Sequence, residues 1–112
     1  MSKSDLYTWI KIADSISDLS FSEDGFSTVQ VNDKTICIAM FNGKLLACQD
    51  KCPHAGGTLS EGYLDSLGNI VCPNHHYKFS LTTGRNVTGE GYFLKIYVIE
   101  ERDKGVFIGM IM

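Results

Sequence analysis

The chain has 112 residues, 44% of them apolar and 21% charged, with a formal net charge of -3. That composition describes one ordinary globular domain, residues 1–112, large enough to bury a modest core. It excludes a nucleic-acid partner, because no basic stripe exists, and a membrane span, because the longest apolar run is only Ile36 to Phe41.

The N-terminal residues Met1-Ser2-Lys3-Ser4-Asp5 place no apolar stretch after the lysine, so no secretory signal is expected and a cytoplasmic location is the default. Tyr7–Ile12 reads as the first strand. A short helical piece is expected around Ala13–Leu19, capped by Asp14 or Ser15, followed by a polar loop over Ser20–Gly25. Asp14, Asp18, Glu23 and Asp24 in this region read as solvated surface. Ser27–Val31 and Lys34–Phe41 read as strands. The second of these is apolar on both faces, which predicts burial on both sides. Asn42-Gly43 favours positive φ and predicts a tight hairpin into a strand over Lys44–Gln49. Further strands are expected at Asn69–Val71, after a turn at Leu67-Gly68, and at Tyr77–Ser80, Phe93–Glu100 and Val106–Ile111. The fold class is therefore all-β, built from packed antiparallel sheets.

Two segments carry the chemistry. Cys52-Pro53-His54 and Cys72-Pro73-Asn74-His75 each offer one thiolate and one imidazole, and 17 residues separate His54 from Cys72. Both follow predicted strands, so both sit in loops mounted on a sheet. A proline after each cysteine fixes φ and stiffens the loop. Most iron–sulfur clusters take four cysteines; the Rieske type replaces two with histidine on one iron. Cys52 and Cys72 on one iron and His54 and His75 on the other match that ligand set. The charge count favours it as well. Two ferric ions, two sulfides and two thiolates sum to zero, so the core accepts an electron more readily than an all-thiolate core of charge -2. A structural zinc site also uses cysteine and histidine, but zinc fingers pair Cys with Cys and His with His along the chain. His76, next to His75, reads as an exposed or hydrogen-bonded side chain rather than a ligand. Gly56-Gly57 reads as a turn that lets backbone amides approach the cluster. Cys37 and Cys48 read as small buried hydrophobes. The aromatics of Tyr77-Lys78-Phe79 read as core.

Residues 52–62, Cys52-Pro53-His54-Ala55-Gly56-Gly57-Thr58-Leu59-Ser60-Glu61-Gly62, and residues 72–84, from Cys72-Pro73-Asn74-His75-His76 to Thr83-Gly84, resemble the two cluster loops of the Rieske-type ferredoxins. The opening Trp9-Ile10-Lys11-Ile12 also resembles that family's first strand. The resemblance runs from about residue 7 to 110 and is specific over residues 45–84. It implies a cluster-binding subdomain over about residues 45–84, made of two loops and holding one [2Fe-2S] cluster per chain. It further implies a soluble, monomeric one-electron carrier between a flavin-dependent reductase and a terminal oxygenase, with no catalysis of its own. The family's oxygenases need further histidines for a mononuclear iron; of the three histidines here the cluster would use two. A small accessory subunit resembling that of nitrite reductase, or a zinc-stabilised interaction domain, is the alternative. The chain departs from the high-potential members at three places. Gly57 and Asn74 stand where those proteins carry a loop disulfide, Tyr77 and Phe79 stand at their hydroxyl positions, and the third loop, Arg85–Tyr92, lacks proline. Gly89 and Gly91 are expected to shape that loop instead.

Overall fold

The structure is a computed structural model that describes residues 6–54 and 56–111. Met1–Asp5, on which the leader expectation rests, lie outside the described residues. Nine strands form two antiparallel sheets: β1 (Tyr7–Ala13), β2 (Phe26–Val31), β3 (Lys34–Phe41), β4 (Lys44–Gln49), β5 (Tyr63–Leu64), β6 (Asn69–Val71), β7 (Lys78–Ser80), β8 (Ile96–Arg102) and β9 (Gly105–Ile111). The larger sheet runs β1-β9-β8-β4-β3-β2 and the smaller β5-β6-β7. Its two halves are joined by a short pairing, Ala47 with Tyr97 and Cys48 with Ile96.

Strand β3 organises the interior. Successive side chains on a strand point to opposite faces, and Ile36, Cys37, Ile38 and Ala39 are all buried. Ile36 and Ile38 enter one apolar cluster with Ala47, Val106, Ile108 and Met110, which joins both halves of the large sheet. Cys37 and Ala39 enter a second, with Phe26, Cys48, Ile70, Phe79 and Leu94, which joins the large sheet to the small one. The double-sided burial expected from the sequence is therefore divided between two cores. Cys37 and Cys48 lie directly opposite each other across β3 and β4. Both are free and buried. The hydrogen bond with the Cys37 thiol, and then burial, hold the Cys48 thiol well above its usual pKa, so it behaves as a packing group.

The hairpins follow their turn residues. Asn42 and Gly43 both have positive φ (51° and 78°), as do Asn32 and Asp33 (49° and 67°) in the β2–β3 turn. This is the geometry whose twist matches two-residue hairpins. The helical expectation shrinks to one 3-10 turn, Ile16–Asp18. β1 continues through Ala13, paired with Val106, and leaves too few residues for a helix. The Ser15 hydroxyl contacts Ser17 and Asp18 side chains rather than capping the backbone. The predicted strand at Phe93 starts only at Ile96. Residues 93–95 are held by separate contacts instead of a ladder: Phe93 bridges Arg85, the Leu94 N–H donates to Gly84 O, and the Lys95 N–H donates to Gln49 Oε1 at 2.8 Å. β5, two residues long, is too short to leave a periodic signal.

Asp65 closes the β5–β6 turn that precedes the second Cys/His segment. Its Oδ1 accepts the Leu67 and Asn69 N–H groups, each at 2.9 Å, and Lys78 lies 3.4 Å from its Oδ2. Burial raises the carboxyl pKa, but the bonds from Asn69, Leu67 and Lys78 outweigh it and leave the pKa below its ordinary value. A depressed folded pKa contributes stability that is present above the unfolded value and lost as pH falls through the folded one. Asp65→Asn should therefore lower the thermal midpoint at neutral pH. The gap from wild type should close as pH falls from about 5 to about 2, measured by circular dichroism melts of both proteins across that range.

Candidate metal centre

The two Cys/His segments fold into loops with the same backbone wiring. The Cys52 N–H donates to Gly57 O at 2.7 Å and the Gly56 N–H donates back to Cys52 O at 3.0 Å. The Cys72 N–H donates to Tyr77 O at 2.9 Å and the His76 N–H donates back to Cys72 O at 3.0 Å. The fourth residue after each cysteine is left-handed: Gly56 has φ 73° and His76 has φ 61°. Histidine is among the few non-glycine residues that tolerate this region. The structure thus gives His76 a backbone task, equivalent to that of Gly56, with its side chain exposed.

The loops interlock. A Cβ added at Gly57 would lie 2.9 Å from Asn74 Nδ2 and 3.2 Å from Cys72 Sγ. Gly57 therefore leaves a space beside the thiol that any side chain would fill. The positions that the resemblance marks for a disulfide, Gly57 and Asn74, do face each other here. Close contact joins them, without a covalent clamp.

The four predicted ligands divide into two pairs. Cys52 and Cys72 are buried in the core that also holds Leu59, Ile70 and Phe79. His54 and His75 lie outside them, half-buried and exposed. Their ring centroids stand 4.7 Å apart, and their Nδ1 atoms 3.4 Å apart. Two nitrogens, each about 2.1 Å from one tetrahedral metal, stand about 3.4 Å apart, so the imidazole pair fits a shared metal. Among the described residues no group of three or more His, Cys, Asp or Glu could hold a single ion. Thiols on one metal and imidazoles on another suit a two-iron cluster.

A third loop packs against the His54 imidazole, and its organiser escaped the sequence. Asn86 is buried. Its Nδ2 donates to Lys78 O, Thr88 Oγ1 and Glu90 Oε1 at 3.0–3.1 Å, and its Oδ1 accepts the Tyr92 N–H at 3.4 Å. Gly89 and Gly91, with φ 87° and 89°, supply the turns expected of them. The result sets the Tyr92 ring 5.4 Å from His54 and stacked on Tyr77 at 6.3 Å. Tyr77 itself lies 4.3 Å from His54. Tyr77 is thus part of the wall around the imidazoles, while Phe79 is wholly buried core. An isolated Asn between Arg85 and Val87 carries no sequence signal for this; only the convergence of four partners shows it.

Residues 8–92 match the model of the Rieske [2Fe-2S] domain, and the chain belongs to that family. The cofactor is accordingly one [2Fe-2S] cluster per chain. The chain is similar to the ferredoxin subunit of 3-phenylpropionate/cinnamic acid dioxygenase from Photorhabdus laumondii, 31% identical over 74 residues, covering 65% of this chain and 70% of that one. The same subunit from Escherichia coli K12 is 40% identical over 55 residues, covering 47% and 52%, so the match spans about half of that relative's length. Among solved structures, a chain in the complex of reduced oxygenase and oxidised ferredoxin of carbazole 1,9a-dioxygenase superposes with a TM-score of 0.75 at 25% identity, covering 90% of this chain and 92% of that one. A protein provisionally named as a small subunit of an NADPH nitrite reductase superposes at 0.76 with 21% identity, covering 90% and 97%; that likeness concerns the fold alone.

Removing the buried Asn86 amide would break its hydrogen bonds to Lys78 O and the Tyr92 N–H, a cost of about 2 kcal/mol. Asn86→Ala should therefore melt several degrees below wild type and lose its visible absorbance sooner in the presence of a chelator, both readable on the purified protein.

Proposed function

We propose that the chain carries single electrons from a flavin-dependent reductase to a terminal oxygenase, and that Cys52, His54, Cys72 and His75 hold the cluster. The observation that carries this reading is the division of the four residues into a buried thiol pair and an outer imidazole pair with both Nδ1 atoms facing each other. When bound, the cluster supplies reversible one-electron chemistry. The protein's own part is to hold the thiols away from water, to fix the imidazoles on two stiff loops, and to leave His75 at the surface, where a partner can come close. The relatives named as dioxygenase ferredoxin subunits support the oxygenase as acceptor. A carrier that gives electrons to an oxygenase must be refilled, and a flavin-dependent reductase is the donor we propose. Among the described residues no helix is long and apolar enough to cross a membrane; a cytoplasmic monomer is the state we propose. The accessory-subunit alternative is disfavoured by the complete Cys/His set, which a protein without a cluster would have no need to hold in register.

Substituting Ala for any one of Cys52, His54, Cys72 or His75 should abolish cluster retention, whereas His76→Asn, which removes the imidazole and still tolerates the left-handed backbone, should keep two irons and two labile sulfides per chain. Iron and sulfide assays with the visible spectrum decide it; a His76→Asn protein without iron would move the ligand assignment.

The reduction potential should lie nearer about -150 mV than about +300 mV. Hydrogen bonds to cluster sulfur stabilise the added electron. Phe79 has no hydroxyl, and the Tyr77 ring is engaged with His54 and Tyr92. Voltammetry at neutral pH provides the check, and a midpoint well above zero would contradict this account of the donors.

A further inference from the structure

The charges of this acidic chain are unevenly placed. β4 enters from Lys44 and ends at Gln49, immediately before the loop bearing Cys52 and His54, so its two ends lie roughly 17 Å apart. At the Lys44 end, Asp14, Glu101, Arg102 and Asp103 gather beside the β8–β9 turn. Two of the cations there are engaged, Lys11 with Asp14 at 2.6 Å and Arg102 with Glu100 at 3.0 Å, while Lys44 and Lys104 stand among the same carboxylates. At the other end lies a groove of about 500 Å³ lined by Lys34, Lys51 and Lys95. None of these lysines forms an ion pair among the described residues. Two carboxylates also line it. Asp50 is turned inward, buried, with Oδ1 accepting the Ser60 N–H at 2.9 Å. Asp33 is the exposed one, which leaves three ammonium groups facing a single solvated carboxylate. Gly56 and Thr58 belong to the same wall, and the Cε of Lys51 lies 3.8 Å from a Cβ placed at Gly56. The groove therefore adjoins the first Cys/His loop.

We propose that this groove receives the acidic surface of a redox partner, with carboxylates of that partner seated against Lys34, Lys51 and Lys95. The inference deepens the electron-carrier reading and rests on it. The net charge of -3 would by itself favour a cationic partner. A local positive potential beside the cluster loop reverses that preference at short range, because charges more than about 10 Å apart are largely screened at 0.1 M salt. An acidic partner steered to this wall arrives beside Cys52 and His54, while the opposite end, where carboxylates and cations balance, offers it no such attraction.

Two small complex ions test the field directly. The reduced protein gives up one electron to one ferricyanide, which becomes ferrocyanide, or to one tris(phenanthroline)cobalt(III), which becomes the cobalt(II) complex; no proton moves. In stopped-flow at low ionic strength, Lys51→Glu and Lys95→Glu should each slow ferricyanide by about threefold or more and speed the cobalt complex, and added salt should erase both effects. Lys104→Glu, in the β8–β9 turn, should change both rates by clearly less than either groove variant does. Independently of electron transfer, the redox-inert paramagnetic anion hexacyanochromate(III) should broaden the amide signals of Lys34, Thr35, Lys95 and Tyr97 and spare those of Asp14 and Glu101. Rates unmoved by the groove variants, or broadening centred elsewhere, would overturn the groove. If neither oxidant takes an electron from the protein, the carrier reading fails instead, and the broadening map still decides where anions bind.

Discussion

The site depends on one backbone arrangement used twice. In each loop the cysteine N–H donates to the carbonyl five residues on, and the N–H of the fourth residue returns to the cysteine carbonyl. These two bonds close a tight ring around each cysteine and turn its thiol inward. They require a left-handed residue at the fourth position, which Gly56 and His76 supply. A loop so closed has few alternative conformations, and that preorganises both Cys/His pairs before any metal is bound. The proline after each cysteine acts in the same direction by removing a backbone freedom.

The sheets turn two local rings into one centre. β4 delivers the first loop and β6 the second, and the small sheet lies on the face of the large one that carries Cys37, Ala39 and Cys48. Small residues on that face leave room for Ile70, Phe79 and Leu94 and bring the thiols of Cys52 and Cys72 into the same apolar cluster. Burial around the thiols and exposure around His75 are thus two sides of one packing decision. The sulfur side is kept from water, and the imidazole side is left where a partner can approach. With Gly57 set against Asn74 and Cys72, contact packing takes the place of a covalent link between the loops. The Asn86 network performs the equivalent service for the loop beside the His54 imidazole.

Much of this was legible in the residues. The ligand set we propose, Cys52, His54, Cys72 and His75, was read from residue type and spacing alone, because few metal centres use one thiolate and one imidazole from each of two segments. The apolar run Ile36–Phe41 implies a strand buried on both faces, and Asn42-Gly43 a two-residue hairpin, since these signals are local and steric. Strand β8 shows where local reading stops: Phe93-Leu94-Lys95 has a strand's composition, yet Gly84 and Gln49, 10 and 46 residues away, claim its backbone groups. The helix expected near Ala13–Leu19 was lost to a similar competitor, the pairing of Ala13 with Val106.

By itself, then, the sequence determined the all-β class and the two Cys/His pairs proposed as cluster ligands, because each follows from residue chemistry or from neighbours a few positions apart. The tertiary structure alone decided four further things. It made His76 a turn residue equivalent to Gly56, made Asn86 the anchor of the third loop, divided β3 between two cores, and gathered Lys34, Lys51 and Lys95 into one groove. Each of these depends on which distant segments meet, and side-chain identity does not encode that meeting until the strands have paired.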